Sequence, residues 1–214
     1  MLFTGLIESF IPIVSIEDKE GNLRLCLELS SNISEVKMGD SISLNGVCLT
    51  VSDIRDAKIW VDIVHETAAN SNLADLKVGD LLNLEKSLKV GDNLGGHFMT
   101  GHIDGTVVIT KIRNVAGSRT IWVSVPPKLA RFIVKKGSIG LEGVSLTVVD
   151  LENDHLSVVI IPYTGKVTSL GSKTEGDRLN IEVDLIGMHV RKSVQEILGD
   201  GTDLAKSSSE SPVE

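Results

Sequence analysis

Short apolar runs with β-branched residues recur along the chain, and Gly, Asp and Asn turns separate them. Ile59-Trp60-Val61-Asp62-Ile63-Val64, Thr120-Ile121-Trp122-Val123-Ser124-Val125 and Leu156-Ser157-Val158-Val159-Ile160-Ile161 read as strands. Lys19-Glu20-Gly21-Asn22 and Asn114-Val115-Ala116-Gly117 read as turns. In Leu23-Arg24-Leu25-Cys26-Leu27-Glu28-Leu29 the alternation puts four leucines on one face, and Cys26 on the other beside Arg24 and Glu28, as a partly exposed thiol. Many short strands at close spacing predict an all-β chain folded into small closed barrels, which leave no sheet edge. Two segments break the pattern. Pro126-Pro127-Lys128-Leu129-Ala130-Arg131-Phe132-Ile133 starts a short helix with Pro in its first turn, and Ser30 to Ser34 sits at the matching place upstream. In Met188 to Leu198, residues Val190, Val194, Ile197 and Leu198 form a one-sided helical stripe that Gly199 ends. A helix this short is marginal alone, so it packs on its own barrel or pairs with the same helix of other subunits.

The strand pattern occurs twice. Leu44-Asn45-Gly46-Val47-Cys48-Leu49-Thr50-Val51 returns as Leu141-Glu142-Gly143-Val144-Ser145-Leu146-Thr147-Val148, an offset of 145 − 48 = 97 with six of eight positions identical. Each copy reads as a Gly turn entering a strand that offers small polar side chains to a ligand. Phe3-Thr4-Gly5-Leu6-Ile7 returns as Met99-Thr100-Gly101-His102-Ile103, and Glu66-Thr67 as Tyr163-Thr164. Gly79-Asp80-Leu81-Leu82-Asn83-Leu84-Glu85 returns as Gly176-Asp177-Arg178-Leu179-Asn180-Ile181-Glu182. One register held throughout is an internal duplication, and its period is domain-sized. The halves are assigned to residues 1–93 and 94–187, followed by a helix over 188–199 and a Ser-rich, acidic, disordered tail over 200–214.

The 214 residues suffice for two small domains, and only 3% are aromatic, so the cores are aliphatic. A net charge of −8 without a basic patch argues against a nucleic-acid partner. Two Cys form no disulfide framework and point to a reducing compartment. With neither a leader pattern nor about 18 consecutive apolar residues, a cytoplasmic chain with no membrane partner is expected. The five His show no metal-type spacing beyond the pair 97/102.

At Phe3-Thr4-Gly5, Asn45 to Val51, Gly95-Gly96-His97-Phe98-Met99-Thr100-Gly101-His102 and Gly143 to Val148, the chain resembles the alpha-chain riboflavin synthases, over residues 1 to about 199. The resemblance implies two tandem six-stranded Greek-key barrels plus a C-terminal α-helix, and a homotrimer formed through that helix. It implies an active site between the N-terminal barrel of one subunit and the C-terminal barrel of another. The reaction implied converts two 6,7-dimethyl-8-ribityllumazine molecules into riboflavin and 5-amino-6-(D-ribitylamino)uracil, without metal or cofactor. An association with lumazine synthase is a further partner in this reading. Implied substrate contacts are Gly5, Leu6, Ile7, Cys48, Leu49, Thr50, Asp62, Glu66, Thr67, Gly101, His102, Ile103, Lys136, Ser145, Leu146, Thr147, Ile160, Ile161, Pro162, Tyr163 and Thr164. The chain departs from the family at Tyr163-Thr164-Gly165-Lys166, where relatives more often carry His-Thr or Glu-Thr followed by Leu and Glu.

A dismutation makes two copies of one molecule do opposite things, and twin pockets suit it by holding both in related poses. The unequal roles must then come from positions where the halves differ: Cys48 against Ser145, and Leu6 against His102. A proton must leave the C7 methyl of one lumazine, and a neutral imidazole suits that step near pH 7. His102 is the leading candidate, and His97, after Gly95-Gly96, is read as structural. A nucleophile must add at C7 of the other lumazine: Cys48 as thiolate, Ser41 as hydroxyl, or water. Ser41 has a counterpart in Ser138, Lys136 aligns with Gly39, and Asp184 stands where the family has an acidic residue. A non-catalytic lumazine- or flavin-carrying antenna protein of the same fold is the rival reading. A flavin-reductase barrel would need a nicotinamide-binding α/β half, which the second half is not.

Overall fold

The computed structural model describes residues 1–30, 36–152 and 154–198. The first half holds β1 (Ser9–Lys19), β2 (Asn22–Glu28), β3 (Ser41–Leu44), β4 (Val47–Arg55), β5 (Lys58–Ile63), helix α1 (His65–Asn70) and β6 (Leu81–Lys86). The second holds β7 (Gly105–Val115), β8 (Ser118–Ser124), α2 (Pro127–Ala130), β9 (Ser138–Leu141), β10 (Val144–Glu152), β11 (His155–Ile160), α3 (Pro162–Val167) and β12 (Arg178–Val183), and helix α4 (Leu185–Leu198) follows. Each set of six strands closes into an antiparallel barrel. The first runs β1-β2-β5-β4-β3-β6 and the second has the same order, β7-β8-β11-β10-β9-β12. Even the irregularities repeat. Bulges fall between Ile13 and Ser15 and between Ile109 and Lys111, and again between Val51 and Asp53 and between Val148 and Asp150.

Alternation explains the cores. Val47, Leu49 and Val51 of β4 point inward with Ile59, Val61 and Ile63 of β5, and Val144 and Val148 do the same on β10. Cys26 departs from expectation. It lies on the outer face of β2 but is only 3% exposed, because its cross-strand neighbours Ser15 and Trp60 flank it and the thiol is too small to project past them. In the second barrel the large and small partners are exchanged, Trp122 standing opposite Ser157.

The C-terminal helix begins at Leu185, not at 188, because Asp184 caps it: its Oδ1 accepts from Ile186 N at 3.0 Å and its carbonyl from Met188 N at 3.1 Å. Met188 packs on the second core, whereas Val190, Val194 and Ile197 are exposed. The tail over 200–214, the residue Gly199 and most of the Ser30–Ser34 segment lie outside the described residues. Among the described residues no helix is long and apolar enough to cross a membrane.

The barrels meet on a pseudo-twofold axis. Asn45-Gly46 and Glu142-Gly143 are tight turns with positive φ at both positions (47° and 86°, 52° and 76°), and they stack back to back. A Cβ on Gly46 would lie 2.8 Å from Gly143 N, so only glycine permits the approach. Asn83 Nδ2 donates to the Glu142 carbonyl at 2.8 Å, and Asn180 Nδ2 to the Asn45 carbonyl at 2.9 Å. Their Oδ1 atoms accept from Ser169 N and Asn72 N across the interface.

One ion pair breaks this symmetry. Glu142 is fully buried where the first half has Asn45, and Lys173 Nζ lies 3.2 Å from its Oε2 where the first half has Leu76. Burial pushes the Glu142 carboxyl up, and Lys173 pulls it down. Changing Lys173 to Met should cost about 3 kcal/mol at pH values where Glu142 is ionised, because it strands a buried charge. The folded-state carboxyl then sits further above its unfolded value, so the loss grows as pH rises through the folded pKa and shrinks below it. Urea midpoints at mildly acid and at alkaline pH should converge with wild type only on the acid side.

Candidate active site

Two segments outside the strands build the site. Phe3 and Met99 pair as an antiparallel bridge, and the chain on either side forms two matched straps, residues 3–7 and 99–103. Each strap is clamped by the last strand of its own half. Thr4 N and Oγ1 donate to Glu85 Oε1, both at 2.6 Å, and Gly5 N donates to Oε2 at 2.9 Å. Thr100 N and Oγ1 donate to Glu182 Oε1 at 2.6 and 2.8 Å, and Gly101 N to Oε2 at 3.1 Å. Burial pushes both carboxyls up, and these hydrogen bonds pull them down.

The tips then cross over. Ser145 N of the second barrel donates to the Gly5 carbonyl at 2.8 Å, and Cys48 N of the first donates to the Gly101 carbonyl at 2.9 Å. Ile7 packs against the second core and Ile103 against the first. Both glycines have positive φ, 77° and 74°, and a Cβ on either would lie 2.6 Å from the Cβ of Ser145 or Cys48. Close approach therefore requires glycine twice over.

The crossing sorts the expected site residues into two groups. Gly101, His102 and Ile103 join Ser41, Cys48, Leu49 and Thr50 on the first barrel. Gly5, Leu6 and Ile7 join Ser145, Leu146 and Thr147 on the second. Ser41 stands directly opposite Thr50, as Ser138 does opposite Thr147. Cys48 and Thr50 face outward, while Leu49 and Ile160 point into the cores and offer a ligand only their backbone. Asp62 is on the outer face of β5, 3.7 Å from Arg24. Glu66 and Thr67 lie on α1, and Pro162, Tyr163 and Thr164 on α3. Ile161 precedes α3, and with Ile160 and Pro162 it borders a cavity of about 340 Å³ that Arg119 and Lys166 also line. Lys136 holds φ 66° in the turn before β9, where the first half has Gly39 at 89°.

Burial pushes the Cys48 thiol up, with Glu182 adding to the rise and the N-terminal ammonium opposing it. That upward push disfavours a thiolate nucleophile. His102 is exposed, and its main-chain N–H donates to Thr100 Oγ1 at 3.2 Å. His97 is buried, its Nδ1 2.7 Å from Ser145 Oγ. The carboxylate clamps are not among the expected site residues, although their place in the repeat, Asn83-Leu84-Glu85 and Asn180-Ile181-Glu182, is the signal that marks them. A cleft of about 580 Å³ between the barrels, lined by Asn72, Lys173 and Arg178, contains none of the expected residues.

Two barrels of one topology with crossed straps define a duplicated ligand-binding protein, and the lumazine binding domain matches residues 4–87 and again 100–184. The riboflavin synthase of Actinobacillus pleuropneumoniae is 37% identical over 191 residues, covering 89% of each chain. That of Bacillus subtilis (strain 168) is 38% identical over 189 residues, 88% of each. The crystal structure of LumP complexed with riboflavin superposes with a TM-score of 0.80 at 25% identity, covering 85% of this chain and 98% of that one. The chain belongs to the riboflavin synthase family.

Proposed function

We propose that the chain takes two molecules of 6,7-dimethyl-8-ribityllumazine and moves a four-carbon unit from one to the other, giving riboflavin and 5-amino-6-(D-ribitylamino)uracil, the last step of riboflavin biosynthesis. It is a transferase. The observation that carries this reading is the crossing of the straps, which sets His102 on the barrel of Cys48 and Leu6 on the barrel of Ser145. The half-sites share a backbone frame and differ in chemistry, which a dismutation of identical molecules requires. His102 removes a proton from the C7 methyl of one lumazine. Water or the Ser41 hydroxyl adds at C7 of the other, beside the Cys48 thiol. Thr50, Thr67, Thr147 and Thr164 supply hydrogen bonds to the heterocycles. Asp184 caps α4, and its carboxylate pulls the pKa of the His97 ring upward against the effect of burial.

The half-sites are open in a single chain. Leu6, Ile161 and Tyr163 are 51%, 54% and 72% exposed, an apolar rim that another subunit would cover. The bare stripe of α4 supports a homotrimer assembled through that helix. Deleting residues 188–214 should yield monomers with weak activity, read by sedimentation and by turnover; a fully active trimer would overturn this role. The free Cys26 and Cys48 favour a reducing compartment, the cytoplasm. An association with lumazine synthase would show as co-sedimentation of the two proteins.

The test of the reaction is to incubate the purified chain with the lumazine and follow flavin absorbance. One riboflavin and one pyrimidine should appear for every two lumazines consumed. A coloured ligand held without turnover would mark an antenna protein and overturn the reading.

A further inference from the structure

The two small side chains that distinguish the half-sites have different neighbours. Ser145 Oγ faces His97 Nδ1 at 2.7 Å, and Cys48 Sγ faces Met1 Sδ at 3.4 Å. Met1 and His97 are equivalent, separated by the same 96 positions that relate the two straps. His97 is 9% exposed and is tied to the first strap, its main-chain N–H donating to the Thr4 carbonyl at 3.1 Å. Its Nε2 is buried with no hydrogen-bond partner among the described residues. A proton on Nε2 would be an orphaned buried donor, whereas a proton on Nδ1 leaves only a bare acceptor, the lesser cost. Burial favours the neutral ring and outweighs the opposing pull of the Asp184 carboxylate, and the neutral ring has one such proton to place. With Nδ1 protonated, His97 donates to Ser145 Oγ and the hydroxyl hydrogen must turn elsewhere. In the first half the weak S–H of Cys48 is directed at a thioether.

We propose that His97 is a positioning residue: by donating to Ser145 Oγ it commits that hydroxyl to donate to a carbonyl oxygen or ring nitrogen of the heterocycle in the second half-site. The Cys48–Met1 pair offers no comparable donor in the first. The half-sites thereby sort two identical molecules by hydrogen-bond polarity. This rests on Ser145 as a ligand contact in the function proposed above.

The test uses the full-length chain, titrated with riboflavin by fluorescence and with the lumazine by absorbance. Ser145→Ala and His97→Leu should each weaken riboflavin binding roughly three- to tenfold, the range expected for one hydrogen bond. Both should shift the absorbance band of the bound lumazine in the same direction. The double variant should bind no more weakly than Ser145→Ala alone. His97→Asn, whose amide can donate near the Nδ1 position, should restore affinity and spectrum, and it decides the matter should the Leu variant not fold. Additive losses, an unshifted band, or an Asn variant as weak as Ser145→Ala would reduce His97 to packing and overturn the proposal. Wild-type binding by Ser145→Ala would overturn it as well. A wild-type chain that binds without turnover would overturn the enzymatic reading and leave this one standing.

Discussion

Changing His102 to Gln is expected to lower turnover by at least tenfold while lumazine and riboflavin still bind. The residue sits on a strap held at three points: Thr100 and Gly101 on Glu182, the Gly101 carbonyl on Cys48 N, and Ile103 against the first core. That anchoring fixes the main chain on both sides of position 102. Gln keeps a polar side chain of similar reach but cannot take up a proton near neutral pH, so the substitution isolates proton transfer from shape. Positioned general acid–base groups supply about 10²- to 10⁴-fold in rate, and the predicted floor of about tenfold lies below that range because water can carry part of the proton traffic at an exposed position. Steady-state turnover with the lumazine, alongside riboflavin titration, separates the two effects. Wild-type turnover in the Gln variant would remove His102 as the base, and lost binding would make it a contact residue instead.

The barrels were legible because strand alternation is a local signal: Val47, Leu49 and Val51 fall at period two and all face one core. The duplication was legible because Leu44 to Val51 and Leu141 to Val148 agree at six of eight positions, among them Gly46 and Gly143, which make the same turn with positive φ. What could not be read was which barrel each strap serves. Nothing in Phe3 to Ile7 distinguishes docking on its own half from docking on the other, and the crossing is fixed by long-range bonds such as Ser145 N to the Gly5 carbonyl. The helices bearing Glu66-Thr67 and Tyr163-Thr164 were missed for another reason, since six residues are too few to show an amphipathic stripe. Cys26 misled because alternation gives the face of a strand, whereas exposure depends on the neighbouring strands, here Ser15 and Trp60.

Glycine at position 101 gives the sharpest test of the crossed straps. Gly101→Ala is expected to lower stability by about 3 kcal/mol and turnover by more than tenfold. An L-residue at φ 74° costs about 1 kcal/mol by itself. The new Cβ would stand 2.6 Å from Cys48 Cβ and 2.9 Å from Cys48 N, so strap and strand must separate. Separation breaks the bond from Cys48 N to the Gly101 carbonyl, about 1 kcal/mol more, and shifts His102 from its barrel. Gly39→Ala supplies the control. Gly39 has φ 89°, nothing lies within 4 Å of where its Cβ would be, and Lys136 holds the equivalent place in the second half at φ 66°. That variant should show the backbone cost alone, about 1 kcal/mol, with turnover unchanged. The difference between the two in denaturant midpoint therefore measures the contact between strap and barrel, and equal midpoints would mean that the strap does not press on Cys48 at all.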